Sequence, residues 1–332
     1  MTGAPAPLRV AFVGGFAACF VEPVRARLTT ACELVLADEG DIVARLPEVD
    51  VLVGMAFTPA MGAAATRLRL VQVPGAGTDR IERAALPAGA SLANAYGHEA
   101  GIAEYVLGAM LSLNRGFGRL DASLRRGRWE AAWSHDAPPP PTAPELTGKT
   151  LGILGYGRIG QAVARRARAF DMEIHAIRRE PRGTSAEGLA VLGGPESLDD
   201  LLRASDYLAI TLALTPETRG LVGARELALM KRSAMIVNVA RGEVLDEDAL
   251  YQALAGGTIA GAALDVWYRY PTAPGPTFPG RRPFHELPNV LMTPHVSGWT
   301  EGMLAARADV IAGNIERAAR GEPPLNRVAT VP

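Results

Sequence analysis

Residues 150–180 read TLGILGYGRIGQAVARRARAFDMEIHAIRRE: a short apolar run, three glycines spaced Gly155-x-Gly157-x-x-Gly160, a helix-like stretch and a second apolar run. This order decides the fold class. In a β-α-β unit the first glycine permits the tight turn out of the strand, the second lets the backbone approach a pyrophosphate, and the third lets the helix pack closely on the strand. The helix N-terminus then turns its amides and the positive end of its dipole toward the phosphates. The stretch predicts a dinucleotide cradle made by Gly155, Tyr156, Gly157, Arg158, Ile159 and Gly160. An acidic residue normally ends the second strand and takes the ribose 2′-hydroxyl, but here Arg178 and Arg179 stand in that place. A pair of guanidiniums suits a 2′-phosphate, which puts NADP ahead of NAD, while the adjacent Glu180 keeps NAD open.

The same alternation runs through the chain. Apolar runs LRVAFVGG (8–15), VDVLVGMA (49–56), LRLVQVPGAG (68–77), YLAITLAL (207–214), AMIVNVA (234–240) and GAALDVW (261–267) are separated by helix-like stretches. An α/β fold with parallel sheets covered on both faces follows. Ile102, Tyr105, Val106, Ala109, Met110, Leu113, Phe117 and Leu120 recur at helical spacing and lead into the proline run APPPPTAP (137–144), which reads as an exposed connector. A boundary on that helix divides the chain into one domain of residues 1–110 and 297–332 and another of 111–296. A second helical pattern, with Met303, Val310, Ile311, Ile315 and Ala318, follows HVSGWT and returns the chain to the first domain.

Composition excludes several classes. The 34 basic and 35 acidic side chains nearly cancel, so neither nucleic acid nor an anionic membrane surface is an expected partner. Only Lys149 and Lys231 are lysines, and neither lies in a pocket motif, which argues against Schiff-base chemistry. No apolar run approaches the roughly 20 residues that span a bilayer, and a cytoplasmic protein is expected. Cys19 and Cys32 lack CxxC spacing, so no metal site or disulfide framework is expected.

Three further stretches follow in order: LTPETRGLV (214–222), MIVNVARGEVLDEDAL (235–250) and NVLMTPHVSGWT (289–300). Together with the glycine loop, over nearly the whole chain, they resemble the D-2-hydroxyacid dehydrogenase family, which includes phosphoglycerate, glyoxylate and formate dehydrogenases. The resemblance implies two Rossmann-like doubly wound parallel-sheet domains. One is a flavodoxin-like substrate domain built from the N-terminal segment and the last helix; the other is a dinucleotide-binding domain inserted between them. It also implies NAD(P)-dependent hydride transfer with a small 2-hydroxy or 2-keto acid, and a homodimer.

By the same resemblance, Arg241 holds the substrate carboxylate and polarises its carbonyl, and His295 exchanges a proton with the substrate oxygen. Backbone amides near Ala76 and Gly77 cap the carboxylate, Ala240 borders the cofactor, and Asp265 orients the nicotinamide amide. These roles agree with the charge that hydride transfer develops on oxygen, which a fixed guanidinium and an imidazolium can meet. His98 and Glu99 either face the cleft or cap the long helix, and Glu104 is expected to pack structurally. Trp129, Trp133 and His135 could form an inserted loop that reaches a partner subunit.

One stretch departs from the family pattern. In LDVWYRYP (264–271), Tyr270 stands five residues after Asp265, where hydroxyacid-oxidising members carry a glutamate bonded to the histidine and formate dehydrogenases a glutamine. A phenol orients an imidazole but stabilises its charged form less than a carboxylate does, so His295 is expected to hold its proton less firmly at neutral pH. Three readings follow, led by 2-keto acid reduction with an optimum displaced toward lower pH. The others are oxidation of a substrate that needs no proton transfer, and a nucleotide-sensing binding protein. Formate is disfavoured because the N-terminal region lacks long extra segments. Phosphite is disfavoured because Ala76 stands where a lysine would be expected. The segment 270–288, rich in proline and arginine, either shapes the pocket or covers it.

Overall fold

Strands form where β-branched and leucine residues cluster. In the computed structural model, which describes residues 7–131, 134–135, 141–180 and 188–330, the chain divides into two units. The first comprises residues 1–98 and 299–332, the second residues 99–298.

The first unit begins with β1 (Leu8–Val13), β2 (Cys32–Ala37), β3 (Val51–Gly54), β4 (Leu70–Gln72) and β5 (Ser91–Ala93). They pair in parallel in the order β5-β4-β3-β1-β2, the flavodoxin-like arrangement. Successive residues of a strand point to opposite faces, and both faces of this sheet are covered. Val10 and Phe12 join Phe20, Val24, Ile311 and Ile315 on one side, while Ala11 and Val13 join Leu46, Phe57 and Met61 on the other.

The second unit holds β6 (Thr150–Leu154), β7 (Glu173–Ile177), β8 (Val191–Gly193), β9 (Tyr207–Ile210), β10 (Met235–Asn238), β11 (Gly261–Leu264) and β12 (Val290–Met292). All seven are parallel, in the order β12-β11-β10-β9-β6-β7-β8. The chain winds outward from β6 in one direction, then restarts at β9 and winds in the other. The gap beyond the carboxyl ends of β6 and β9 is therefore the switch point where such sheets bind ligands. Leu151 and Ile153 pack with Val106 and Met110 on one face, and Leu208 and Ile210 with Leu250 and Leu254 on the other.

The expected parallel sheets are present; one boundary is corrected and one edge strand is added. The long helix Glu99–Arg115 is not divided at residue 110 but belongs whole to the second unit, because its buried face packs on the helix Arg158–Ala167 and on β10 and β11. The first sheet is not wholly parallel: β13 (Arg327–Thr330) pairs antiparallel with β5. That strand follows the return helix Glu301–Arg320 and meets a free sheet edge, where an antiparallel partner is readily accepted. The short strands β2, β5, β8 and β12 were also not foreseen.

Candidate active site

The glycine loop leaves β6 at the switch point. Gly155 has φ +110°, and a side chain there would meet the backbone of Leu212 at 2.6 Å; at Gly160 it would meet the carbonyl oxygen of Gly155 at 2.5 Å. At Gly157 a Cβ would have nothing within 4 Å. The loop is thus closed below and open above the helix start, which is the space a pyrophosphate needs. The amides of Gly155 and Tyr156 donate to the carbonyl of Ile177 at 3.1 and 2.7 Å, and Thr211 Oγ1 donates to that of Gly155 at 2.7 Å. The Tyr156 ring lies in the core and its amide is committed to Ile177, so this residue shapes the loop rather than supplying a free donor. Arg158 is exposed at the first turn of the helix Arg158–Ala167, with half-buried Ile159 next to it.

Arg178 directly follows β7 and its amide donates to the carbonyl of Gly193 at 3.1 Å. The residue is half-buried and Arg179 is exposed. Among the described residues neither guanidinium is in an ion pair within 4.0 Å. Arg179 still reaches far enough to help hold the Glu217 carboxyl below its ordinary range, behind the larger effect of a hydrogen bond from Thr215.

Arg241 follows β10 by three residues, and a buried asparagine shapes its turn. Asn238 accepts the amide of Ala240 at 3.0 Å and donates to the carbonyl of Arg241 at 2.9 Å. The Arg241 guanidinium donates back to the Ala240 carbonyl at 2.8 Å. Gly242 completes the turn, and a Cβ there would stand 2.5 Å from the backbone of Trp267. This close approach fixes the end of β10 against the segment that follows β11.

That segment resolves the run of aromatics. Trp267 is buried and donates its indole N–H to the carbonyl of Thr293 at 2.8 Å. Tyr268 turns into the core and stacks on Phe284, with ring centroids 6.3 Å apart. Tyr270 turns outward, 44% exposed, and its hydroxyl lies 2.9 Å from Nδ1 of His295. The same oxygen accepts the amide of Trp267 at 3.2 Å. Burial pushes the Tyr270 phenol up, while the Trp267 amide and the Arg241 guanidinium pull against it. The net direction is upward, so at neutral pH the partner of His295 is an uncharged phenol.

Asp265, expected to orient the nicotinamide amide, lies elsewhere in the hydrogen-bond network. It is 0% exposed, and its carboxylate accepts Thr293 Oγ1 at 2.6 Å, the amide of Val296 at 2.9 Å and that of Ser297 at 2.8 Å. It thus holds the loop that carries His295. Asn238 and Thr293 were not singled out in the sequence; the one available signal was a polar residue at the carboxyl end of an otherwise apolar strand.

The proline-rich loop after Tyr270 is tied down at its far end. The carbonyl of Pro279 accepts the amides of Tyr268 and Arg269 at 3.2 and 2.9 Å. Buried Glu247 accepts the amides of Arg281 and Arg282 and the Arg281 guanidinium, and Arg282 Nε donates to Asp248 at 2.6 Å. Glu104 pairs with Arg166 at 3.1 Å on the surface. Of the proposed partner-reaching loop, Trp129 is exposed, whereas Trp133 and the first half of the proline run (137–140) lie outside the described residues. Ala76 and Gly77 belong to the first unit, just beyond β4, where Asn94 Nδ2 donates to the Ala76 carbonyl at 2.8 Å. No group of three or more metal-ligating side chains occurs among the described residues, and no helix there is long and apolar enough to cross a membrane.

Residues 107–297 match the family model described as D-isomer specific 2-hydroxyacid dehydrogenase, NAD binding domain. The chain belongs to the D-isomer specific 2-hydroxyacid dehydrogenase family. Members are oxidoreductases, and the matched domain makes a nicotinamide dinucleotide the cofactor. The chain is 36% identical to a D-3-phosphoglycerate dehydrogenase of Methanocaldococcus jannaschii over 85% of its own length, but spans only about half (52%) of that relative. It is 35% identical to a glyoxylate reductase of Korarchaeum cryptofilum, covering 86% of this chain and 85% of the relative. Among solved structures it is similar to an NADPH-dependent glyoxylate/hydroxypyruvate reductase of Sinorhizobium meliloti in complex with NADP and malonate. The TM-score is 0.81 at 29% identity, over 98% of each chain. This dehydrogenase fold accounts for the glycine loop, the turn at Arg241 and the loop at His295 as parts of one unit.

Proposed function

We propose that the protein is an NAD(P)H-dependent reductase of small 2-keto acids, forming the D-2-hydroxy acid, with glyoxylate and hydroxypyruvate as the first substrates to try. The observation that carries this reading is the hydrogen bond between Tyr270 and His295, set beyond the carboxyl ends of the same sheet as Arg241. The cofactor supplies a hydride to the carbonyl carbon. Gly155, Tyr156, Gly157, Arg158, Ile159 and Gly160 would hold its pyrophosphate, Arg178 and Arg179 a 2′-phosphate, and Ala240 would border the nicotinamide end.

The remaining work falls to the chain. The Arg241 guanidinium holds the substrate carboxylate through paired N–H donors and polarises the adjacent carbonyl. His295 gives its ring proton to the carbonyl oxygen as charge builds there. Tyr270 orients the ring through Nδ1. A phenol can accept from a charged imidazole and donate to a neutral one, so it follows the ring through both states, whereas a carboxylate can only accept.

Activity assays with NADPH and NADH against glyoxylate, hydroxypyruvate, pyruvate and bulkier 2-keto acids test the reading. Turnover that disappears in Arg241→Ala while cofactor binding survives is the expected result. Tight nucleotide binding without turnover on any acid would overturn it and leave a nucleotide-sensing protein. A homodimer belongs to the same proposal: Phe117 and Leu124, one helical face of Phe117–Leu124, are both about half exposed, and Trp129 follows them.

A further inference from the structure

We infer that Tyr105, Thr293 and Asp265 form a directional chain of hydrogen bonds that positions His295, with the Thr293 hydroxyl as its central link. The inference rests on the reading of His295 as proton donor.

His295 has φ +58°, in the left-handed region that L residues other than glycine enter only at a cost. Asparagine, aspartate and histidine are the less penalised residue types there, and a strained residue of this kind costs about 1–3 kcal/mol unless its surroundings hold it. The surroundings here are specific. The two amides that follow His295, those of Val296 and Ser297, both donate to Asp265, one to each carboxylate oxygen, at 2.9 and 2.8 Å. On the preceding side, Thr293 is fixed by its own amide to the Leu264 carbonyl at 3.0 Å and by Trp267 Nε1 to its carbonyl at 2.8 Å. The left-handed residue is therefore anchored on both sides to the end of β11.

Thr293 also closes a second circuit. Its hydroxyl donates to Asp265 Oδ1 at 2.6 Å, which uses its one proton. The Tyr105 hydroxyl, 2.6 Å from Thr293 Oγ1, must then be the donor in that pair. Burial pushes the Tyr105 phenol up to about 12, so it stays protonated and keeps that direction at working pH. Protons thus point from the long helix Glu99–Arg115 through Thr293 to a fully buried carboxylate. Three donors, rather than a partner cation among the described residues, hold that carboxylate in place. A buried carboxylate held by three donors on both of its oxygens has little freedom to rotate, and each removed donor leaves acceptor capacity unsatisfied.

The test compares Thr293→Val, which keeps the shape and removes the hydroxyl, with Thr293→Ser, which keeps the hydroxyl. Thr293→Val is expected to lower kcat for 2-keto acid reduction by about ten- to a hundredfold, the usual effect of a small displacement of a reacting group. Cofactor affinity, read by quenching of protein fluorescence, should change by less than about twofold, and Thr293→Ser should recover most of kcat. Amide hydrogen exchange at Val296 and Ser297 should be faster in the valine variant and near wild type in the serine variant, independently of turnover. Wild-type kcat and exchange in Thr293→Val would overturn the proposal, as would an equal loss in both variants, which would show that keeping the hydroxyl does not preserve function. If Thr293→Val does not fold, Tyr105→Phe takes its place, with a smaller loss in the same direction expected and none overturning the proposal. His295→Asn separates the two levels: an inactive His295→Asn beside an unaffected Thr293→Val removes only the positioning chain. A fully active His295→Asn removes the proton-donor reading beneath it.

Discussion

The hydroxyl of Tyr270 lies 2.9 Å from Nδ1 of His295 while accepting the backbone amide of Trp267 at 3.2 Å. One of its lone pairs is thus committed to the backbone, and the ring-facing bond is left to a group that carries no charge at neutral pH. An ionised carboxylate at the same position would add attraction for a protonated ring, by an amount that typically shifts a titration by about one to three pH units.

Replacing Tyr270 by glutamate is therefore expected to move the high-pH fall-off of keto-acid reduction upward. The sign follows from the proton: His295 must carry one to deliver it, and a neighbouring negative charge keeps it there to higher pH. Profiles of kcat/KM against pH for Tyr270→Glu and the wild type check this, and coincident profiles would take Tyr270 out of the proton relay.

Arg178→Ala combined with Arg179→Ala should weaken NADPH by about tenfold or more while leaving NADH within about threefold, because charge-assisted bonds to a phosphate are roughly twice as strong as neutral ones. Dissociation constants for the two cofactors, measured at one ionic strength, decide the point. Equal losses would make the pair a solvated surface feature.

Gly242→Ala places a methyl where the Trp267 backbone already stands, 2.5 Å from the ideal Cβ position. Backbone has to move to admit it, at a cost of about 1–3 kcal/mol. The expected outcome is a lower urea midpoint together with a reduced kcat/KM, since Arg241 sits one residue before the displaced position. An unchanged midpoint would mean that the turn relaxes freely.

Leu124→Arg is expected to convert a dimer into monomers in sedimentation experiments, because the variant buries a charge in the apolar face that Phe117 and Leu124 share. An unaltered dimer would move the interface elsewhere on the second unit.

Glu316 connects stability to pH in the first unit. Burial opposes its ionisation, but the amides and hydroxyls of Thr29 and Thr30 all donate to it, at 2.6 to 3.0 Å, and bring its pKa from 4.5 down to about 2. Because the folded value is the lower one, the stabilisation is fully present above pH 4.5 and is lost as pH falls toward 2. Glu316→Gln should flatten the acid side of the stability curve over that window, as read by thermal unfolding at a series of pH values.

Much of this molecule was legible in its residues, for definable reasons. The spacing of Gly155, Gly157 and Gly160 depends on local backbone needs, and the strand-helix-strand around it follows from periodicity alone. The five-residue count from Asp265 to Tyr270 was enough to single out the residue that meets His295. The boundary on the long helix was less legible: an amphipathic pattern says that a face is buried but not against which sheet, so the helix Glu99–Arg115 was divided where the structure keeps it whole. Short edge strands such as β8 and β13 escaped notice because few side chains in them are buried enough to leave an alternating pattern.

By itself, the order of residues determined the α/β class and the glycine loop, and through its resemblance to a family it pointed to Arg241, His295 and Tyr270, since each lies in a contiguous stretch with its own spacing. Only the tertiary structure decided which groups Asp265 and Thr293 meet. Their partners are an amide pair on another loop and a phenol 188 residues away, and hydrogen-bond direction exists only once folding has brought the donors and acceptors together.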